Sequence, residues 1–137
     1  MSRRIESQRV IINCLPQKIY DFLSNFDNFT KLLPDQVSNW QSTGDSCSFE
    51  VKGLATIGLR ITSKTPYTEI IMIGEGKLPF GFTFETFIRQ ADTEQCQVQM
   101  VIDADMNPFI AMMAEKPLQN FVDMIIPKLK EEMEKNS

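Results

Sequence analysis

The stretch FTFETFIRQADTEQCQVQMVIDADM, residues 82–106, decides the fold. Phe82, Phe84, Thr86 and Ile88 alternate with Thr83, Glu85 and Arg89, and after the polar interruption at 92–95, Cys96, Val98, Met100, Ile102, Ala104 and Met106 alternate with Gln97, Gln99, Asp103 and Asp105. Strand side chains point to opposite faces with a period of two, so this is a pair of antiparallel strands with one apolar face and one that meets water.

The same pattern runs upstream. Strands are predicted at 37–43, 46–53, 55–65, 68–77, 82–91 and 96–106, with turns at Gly44-Asp45, Gly53-Leu54, Pro66-Tyr67, 78–81 and 92–95. Phe49, Val51, Ala55, Ile57, Leu59, Ile61, Ile70 and Met72 continue the apolar face. Before the meander, residues 4–13 read as one more strand, broken by Leu15-Pro16. Ile19, Phe22, Leu23 and Phe26 then fall at i, i+3, i+4 and i+7, the spacing of a short amphipathic helix over 16–25. A second short helix is predicted over 27–33, ended by Pro34.

An apolar sheet face needs a cover, and the C-terminal segment supplies it. Asn107 suits an N-cap and Pro108 a first helical position. Leu118, Phe121, Val122, Ile125, Leu129 and Met133 then recur at helical spacing, with Phe109, Met112 and Met113 expected to face the sheet as well. Pro117 and Pro127 each lack an N–H, which predicts a break near 115–117 and a milder bend near 126. The fold class is therefore α+β, in the order β-α-α-β6-α, as one domain over 1–137.

Composition narrows the function. A net charge of −4 with scattered Lys and Arg offers no footprint for phosphate backbones, so nucleic acid is not an expected partner. There is no secretory-signal profile and no apolar run long enough to span a bilayer, which predicts a cytoplasmic protein without stable membrane insertion. The chain has no histidine, the commonest general base and transition-metal ligand. Cys14, Cys47 and Cys96 are widely spaced and read as small buried residues, so no metal, cofactor or catalytic triad is expected.

The segment INCLPQKIYDFLSNFDNFTKLLP at 12–34, together with the element order, resembles the START-like (SRPBCC) superfamily of polyketide cyclases, lipid-transfer domains and coenzyme Q-binding proteins. The resemblance spans nearly the whole chain. It rests on Val10 and Ile12, the Pro16 helix start, the Ile19-Tyr20 and Phe22-Leu23 pairs, and the 28–34 segment ending in Leu-Leu-Pro. It implies a helix-grip fold, a seven-stranded curved antiparallel sheet around a long C-terminal helix, enclosing a cavity for a hydrophobic molecule. The second turn is only Gly44-Asp45, so the glycine-rich loop of the plant pollen-allergen branch is missing. No position matches a family catalytic motif.

The candidate ligand-binding set is Phe49, Ile57, Leu59, Ile61, Met72, Phe82, Phe84, Thr86, Val98, Met100 and Ile102 on the sheet, with Phe109, Met112, Met113, Phe121 and Ile125 on the helix. Each serves equally as core. Flexible thioethers at Met100, Met106, Met112 and Met113 suit a wall that adapts to ligand shape, or ordinary packing. Thr86, the polar member of its apolar series, needs a partner from ligand, backbone or water. Phe80 is either a gate at the cavity mouth or part of a plain hairpin loop, and Trp40 either packs or makes an exposed contact. Asp103 and Asp105 fall on the outer face, as a solvated acidic pair rather than a metal or acid-base site. The glycines at 74 and 76 fit no phosphate loop and are read as bends. Three functions remain open: binding, storage or transfer of a hydrophobic small molecule; cyclase or dehydratase chemistry on a similar ligand; or a protein-interaction module with a closed cavity. Oligomeric state is not legible.

Overall fold

The computed structural model describes residues 2–33, 35, 37–51, 55–75 and 80–135, with the side chains of Ser2 and Ala55 not described. The expected turn at Gly53-Leu54, the loop at 76–79 with its glycine, and Pro34 lie outside the described residues. The elements are β1 (Ser2–Glu6), β2 (Val10–Ile12), α1 (Pro16–Leu23), a 3-10 helix (Phe26–Lys31), β3 (Val37–Ser42), β4 (Ser46–Val51), β5 (Ala55–Thr65), β6 (Glu69–Glu75), β7 (Phe82–Asp92), β8 (Gln95–Asp105) and α2 (Pro108–Lys135). All strands join one antiparallel sheet in the order β1-β8-β7-β6-β5-β4-β3, and β2 also pairs with β8. This is the α+β helix-grip arrangement, with eight strands among the described residues instead of the expected seven.

The extra strand arises because the expected strand at 4–13 is split. Glu6 pairs with Val101 and Val10 with Val98, so β1 and β2 spend four residues where β8 spends three. The extra residue switches parity. Ile5 before it and Ile12 after it both face the core, and Arg9 turns outward. Ser7 holds the irregularity: its N–H donates to the Met100 carbonyl at 2.9 Å, and its Oγ accepts from the Met100 N–H at 3.0 Å.

A second bulge acts in β3. The register shifts between Ser38 and Gln41, where Asn39 takes φ +55° and its Nδ2 donates to Glu50 at 2.7 Å. Asparagine tolerates this left-handed conformation better than most residues. Without the extra residue, Trp40 would alternate to the face opposite Val37; with it, both pack against the core.

The concave sheet face is covered from two sides. α1 packs on β6 and β7, the 3-10 helix on α1 and β3, and α2 on β1, β2 and β8. Asn107 caps α2 as expected, its Oδ1 accepting from the Ile110 N–H at 2.9 Å. The break expected near 115–117 does not occur, since α2 runs as one 28-residue helix through Pro117 and Pro127. The carbonyls those prolines leave without a donor belong to Met113 and Asp123, both exposed, where water can satisfy them. Buried Ala114 and Leu118, and Ile126 and Leu129, anchor the helix on either side of each proline.

Candidate functional site

The face enclosed by sheet and helix is the candidate site. Its sheet side chains alternate inward as expected: Phe49, Ile57, Leu59, Met72, Phe82, Phe84, Val98, Met100 and Ile102 all belong to one core cluster, and Ile61 is half-buried against it. Phe121 and Ile125 of α2 join the cluster from above. Phe121 is the central contact, its ring stacked on Phe49 at 5.7 Å between centroids and set edge-on to Phe84 at 6.0 Å. Trp40 extends the series, stacked on Phe49 at 5.2 Å and on Phe29 at 6.1 Å.

The placement of Phe109, Met112 and Met113 is a correction. They do not face the sheet: they are 71 %, 84 % and 62 % exposed. In the first turns of α2 the small Ala111 and Ala114 occupy the buried stripe, and a helix cannot also turn inward the positions that flank it on the outer side. Phe80 is buried against Phe82, with ring centroids 6.0 Å apart. Gly74 permits that arrangement, because a Cβ there would collide with the Phe82 ring lying across β6.

Polar atoms on the concave face are few, and among the described residues three buried ones lack a hydrogen-bond partner: Thr86 Oγ1, Trp40 Nε1 and Arg3 Nε. Thr86, 1 % exposed, lies between Ile70 and Met100, its cross-strand neighbours. Arg3 pairs with the buried Ala104, so its side chain leaves the sheet on the same face. Arg3 Nε–H and Trp40 Nε1–H can only donate, and the Thr86 hydroxyl can do either. The site is apolar and donor-rich. Sequence reasoning singled out Thr86, left Trp40 open and missed Arg3. The Asn39 and Ser7 irregularities that set inward parity at the sheet margins carry no periodic signal.

Among the described residues Ser7 and Thr86 are the buried polar residues, so no carboxylate is buried on this face. The three cysteines are free and buried; burial pushes the Cys47 thiol up to about 12 and the Cys96 thiol up to about 11, and raises Cys14 as well. Such thiols are poor nucleophiles near neutral pH. Asp103 is half-buried and Asp105 exposed on strand positions that alternate with the core residues. Among the described residues no group of three or more metal-ligating side chains comes together, and no helix is long and apolar enough to cross a membrane.

No protein-family model and no curated protein matches the chain. Solved structures do. A START superfamily protein from Mycobacterium smegmatis superposes with a TM-score of 0.72 at 11 % identity, covering 98 % of this chain and 99 % of that one. Norcoclaurine synthase from Thalictrum flavum, in complex with dopamine and hydroxybenzaldehyde, gives 0.77 at 9 %, covering 100 % and 89 %. The Zhui aromatase/cyclase from Streptomyces sp. R1128 gives 0.75 at 14 %, covering 99 % and 96 %. With matches of this extent to proteins so different in sequence, the chain has the START-like helix-grip fold.

Proposed function

We propose that the protein binds a hydrophobic small molecule bearing oxygen acceptors, between the concave sheet face and α2. The observation that carries this reading is the unpartnered Thr86 hydroxyl, buried among apolar side chains, with the Trp40 and Arg3 donors on the same face. A buried polar group without a partner costs about 1–3 kcal/mol. A carbonyl, phenol or carboxylate oxygen on an otherwise apolar ligand recovers that cost at each donor it reaches. Two structural neighbours support the ligand class: one was solved with dopamine and hydroxybenzaldehyde, both oxygenated aromatics, and another is an aromatase/cyclase.

Binding requires Phe121 and Phe49 to part, because the concave side chains between β4 and β8 pack closely. Met72 and Met100, unbranched and rotatable, are the side chains best able to yield. The cyclase or dehydratase alternative needs a general acid or base on this face, and among the described residues no carboxylate is buried there. Non-covalent binding, storage or transfer needs nothing further.

Trp40, the single tryptophan, sits on the concave face and reports on it directly. Titration with 1-hydroxyanthraquinone is expected to quench Trp40 fluorescence saturably, anthracene to bind more weakly, and Thr86→Val to narrow the difference between them. Equal behaviour of the two compounds and no effect of Thr86→Val would sink the proposal.

A second reading is favoured by a different observation. Phe109, Met112 and Met113 form an exposed apolar patch on α2, as in an interaction module, beside a described concave face whose side chains are buried. Loss of a co-purifying protein on Met112→Ser, with no ligand bound by either form, would select it.

A further inference from the structure

The first two strands and α2 run side by side, and the hydrogen bonds between them give their register. Glu6 is level with Gln119, Ile11 with Lys130 and Asn13 with Glu134. A strand rises about 3.3 Å per residue and a helix about 1.5 Å, so α2 advances about two residues for each strand residue. Extended back from Glu6 by three strand residues, about 10 Å, this register puts Arg3 level with residues 111–114 of α2. The buried helix positions there are Ala111 and Ala114, and the cross-strand neighbour of Arg3 is Ala104. Phe82, next in the row, lays its ring over Gly74 of β6, on the side away from β8. Alanine therefore lines the grip on both sides where Arg3 enters it.

We propose that this end of the grip takes a carboxylate, with Arg3 as its partner, so that the molecule held on the concave face is an apolar acid, an assignment that rests on the binding reading above. Among the described residues Arg3 makes no hydrogen bond and no ion pair, although it is half-buried and its Nε is enclosed. A guanidinium cannot shed its charge to suit an apolar wall, so enclosing it without a counter-anion is costly. The described residues do not supply that anion: Asp103 and Asp105 flank Ala104 and leave β8 on the other face, and no carboxylate is buried. A ligand carboxylate does, because its two oxygens match the fork of guanidinium donors. One arginine balances a singly charged head better than a phosphate monoester, which carries nearly two charges. Position adds direction. Arg3 stands where β1 begins and β8 ends, so the head stays near water while the apolar body runs inward. Thr86 lies opposite Met100, four residues before Ala104, which sets its hydroxyl about 13 Å further along the sheet, less the reach of the arginine. The acid is thus elongated, with a second oxygen toward Thr86.

The test compares anthraquinone-2-carboxylate with anthraquinone-2-carboxamide, which share shape and ring carbonyls and differ in charge, by quenching of Trp40 fluorescence. Wild type is expected to bind the carboxylate about tenfold more tightly. Arg3→Gln should bind both compounds as wild type binds the carboxamide, and Arg3→Lys should fall between. Without ligand, Arg3→Gln should melt no lower than wild type, since no bond is lost with the guanidinium. Equal affinity of wild type for the two compounds, or an undiminished preference in Arg3→Gln, would overturn the carboxylate assignment and leave binding on the concave face standing. A clear loss of stability in Arg3→Gln would overturn it as well, by showing that Arg3 is satisfied within the protein. Quenching by neither compound would overturn both readings.

Discussion

The two ends of α2 are built from similar residues and meet opposite fates. From Leu118 to Leu129 the helix buries Phe121, Val122, Ile125 and Ile126, whereas from Pro108 to Lys116 it buries two alanines and exposes Phe109, Met112 and Met113. Tethers follow the same division. Gln119 Nε2 donates to the Glu6 carbonyl at 2.8 Å, Lys130 Nζ to the Ile11 carbonyl at 2.6 Å, and Glu134 accepts from the Asn13 N–H at 2.9 Å and Nδ2 at 3.0 Å. Helical spacing says which residues share a stripe. Whether a sheet lies beneath that stripe depends on where the strands end, and their tilt and curl decide that.

The largest test of this contrast is Phe121→Ala, which removes the ring between Phe49 and Phe84. A loss of about 3–5 kcal/mol is expected in urea denaturation, against less than about 0.5 kcal/mol for Phe109→Ala. Equal losses would mean that the first turns of α2 are packed in solution. Next is Ser7→Ala, which strips the Oγ acceptor from the Met100 N–H and is expected to cost about 1–3 kcal/mol. Thr86→Val should move the other way, raising stability by about 1 kcal/mol as the unpartnered hydroxyl disappears. A clear loss instead would show that Thr86 is satisfied within the protein.

The smallest effect belongs to the tethered end. Hydrogen bonds from Lys130 and Asn13 hold the Glu134 carboxyl below its usual range. A depressed folded pKa gives stability that is present above the unfolded value, near pH 4.5, and lost as pH falls through the folded one. Wild type should therefore melt slightly above Glu134→Gln at pH 7, and the gap should close at about pH 3. A gap that widens in acid would contradict this sign.

Much of the architecture was legible residue by residue. Alternation at 82–106 marked β7 and β8 within one residue at their ends, and the predicted turns at Gly44-Asp45 and Pro66-Tyr67 fall between strands as expected. Asn107 and Pro108 marked the start of α2. Two corrections fall in α2, at the exposed Phe109, Met112 and Met113 and at the unbroken run through Pro117, and two further features went unread where one inserted residue changes parity. At Ser7–Arg9 the bulge divides a strand and turns Arg9 outward, and at Asn39 it aims Trp40 inward. Neither has a periodic signature, since a bulge is defined against the partner strand and not along its own.

Hydrophobic period and capping chemistry act over a few residues, so the sequence alone determined the order of elements apart from the division of the first strand, the inward sheet face, and the buried stripe of the final helix from Leu118 onward. Tertiary structure decided which apolar residues found a neighbour, which prolines a helix tolerates, and that Arg3, Trp40 and Thr86 share one enclosed face. Those outcomes rest on contacts between segments far apart in the chain, set by the curvature and register of the whole sheet.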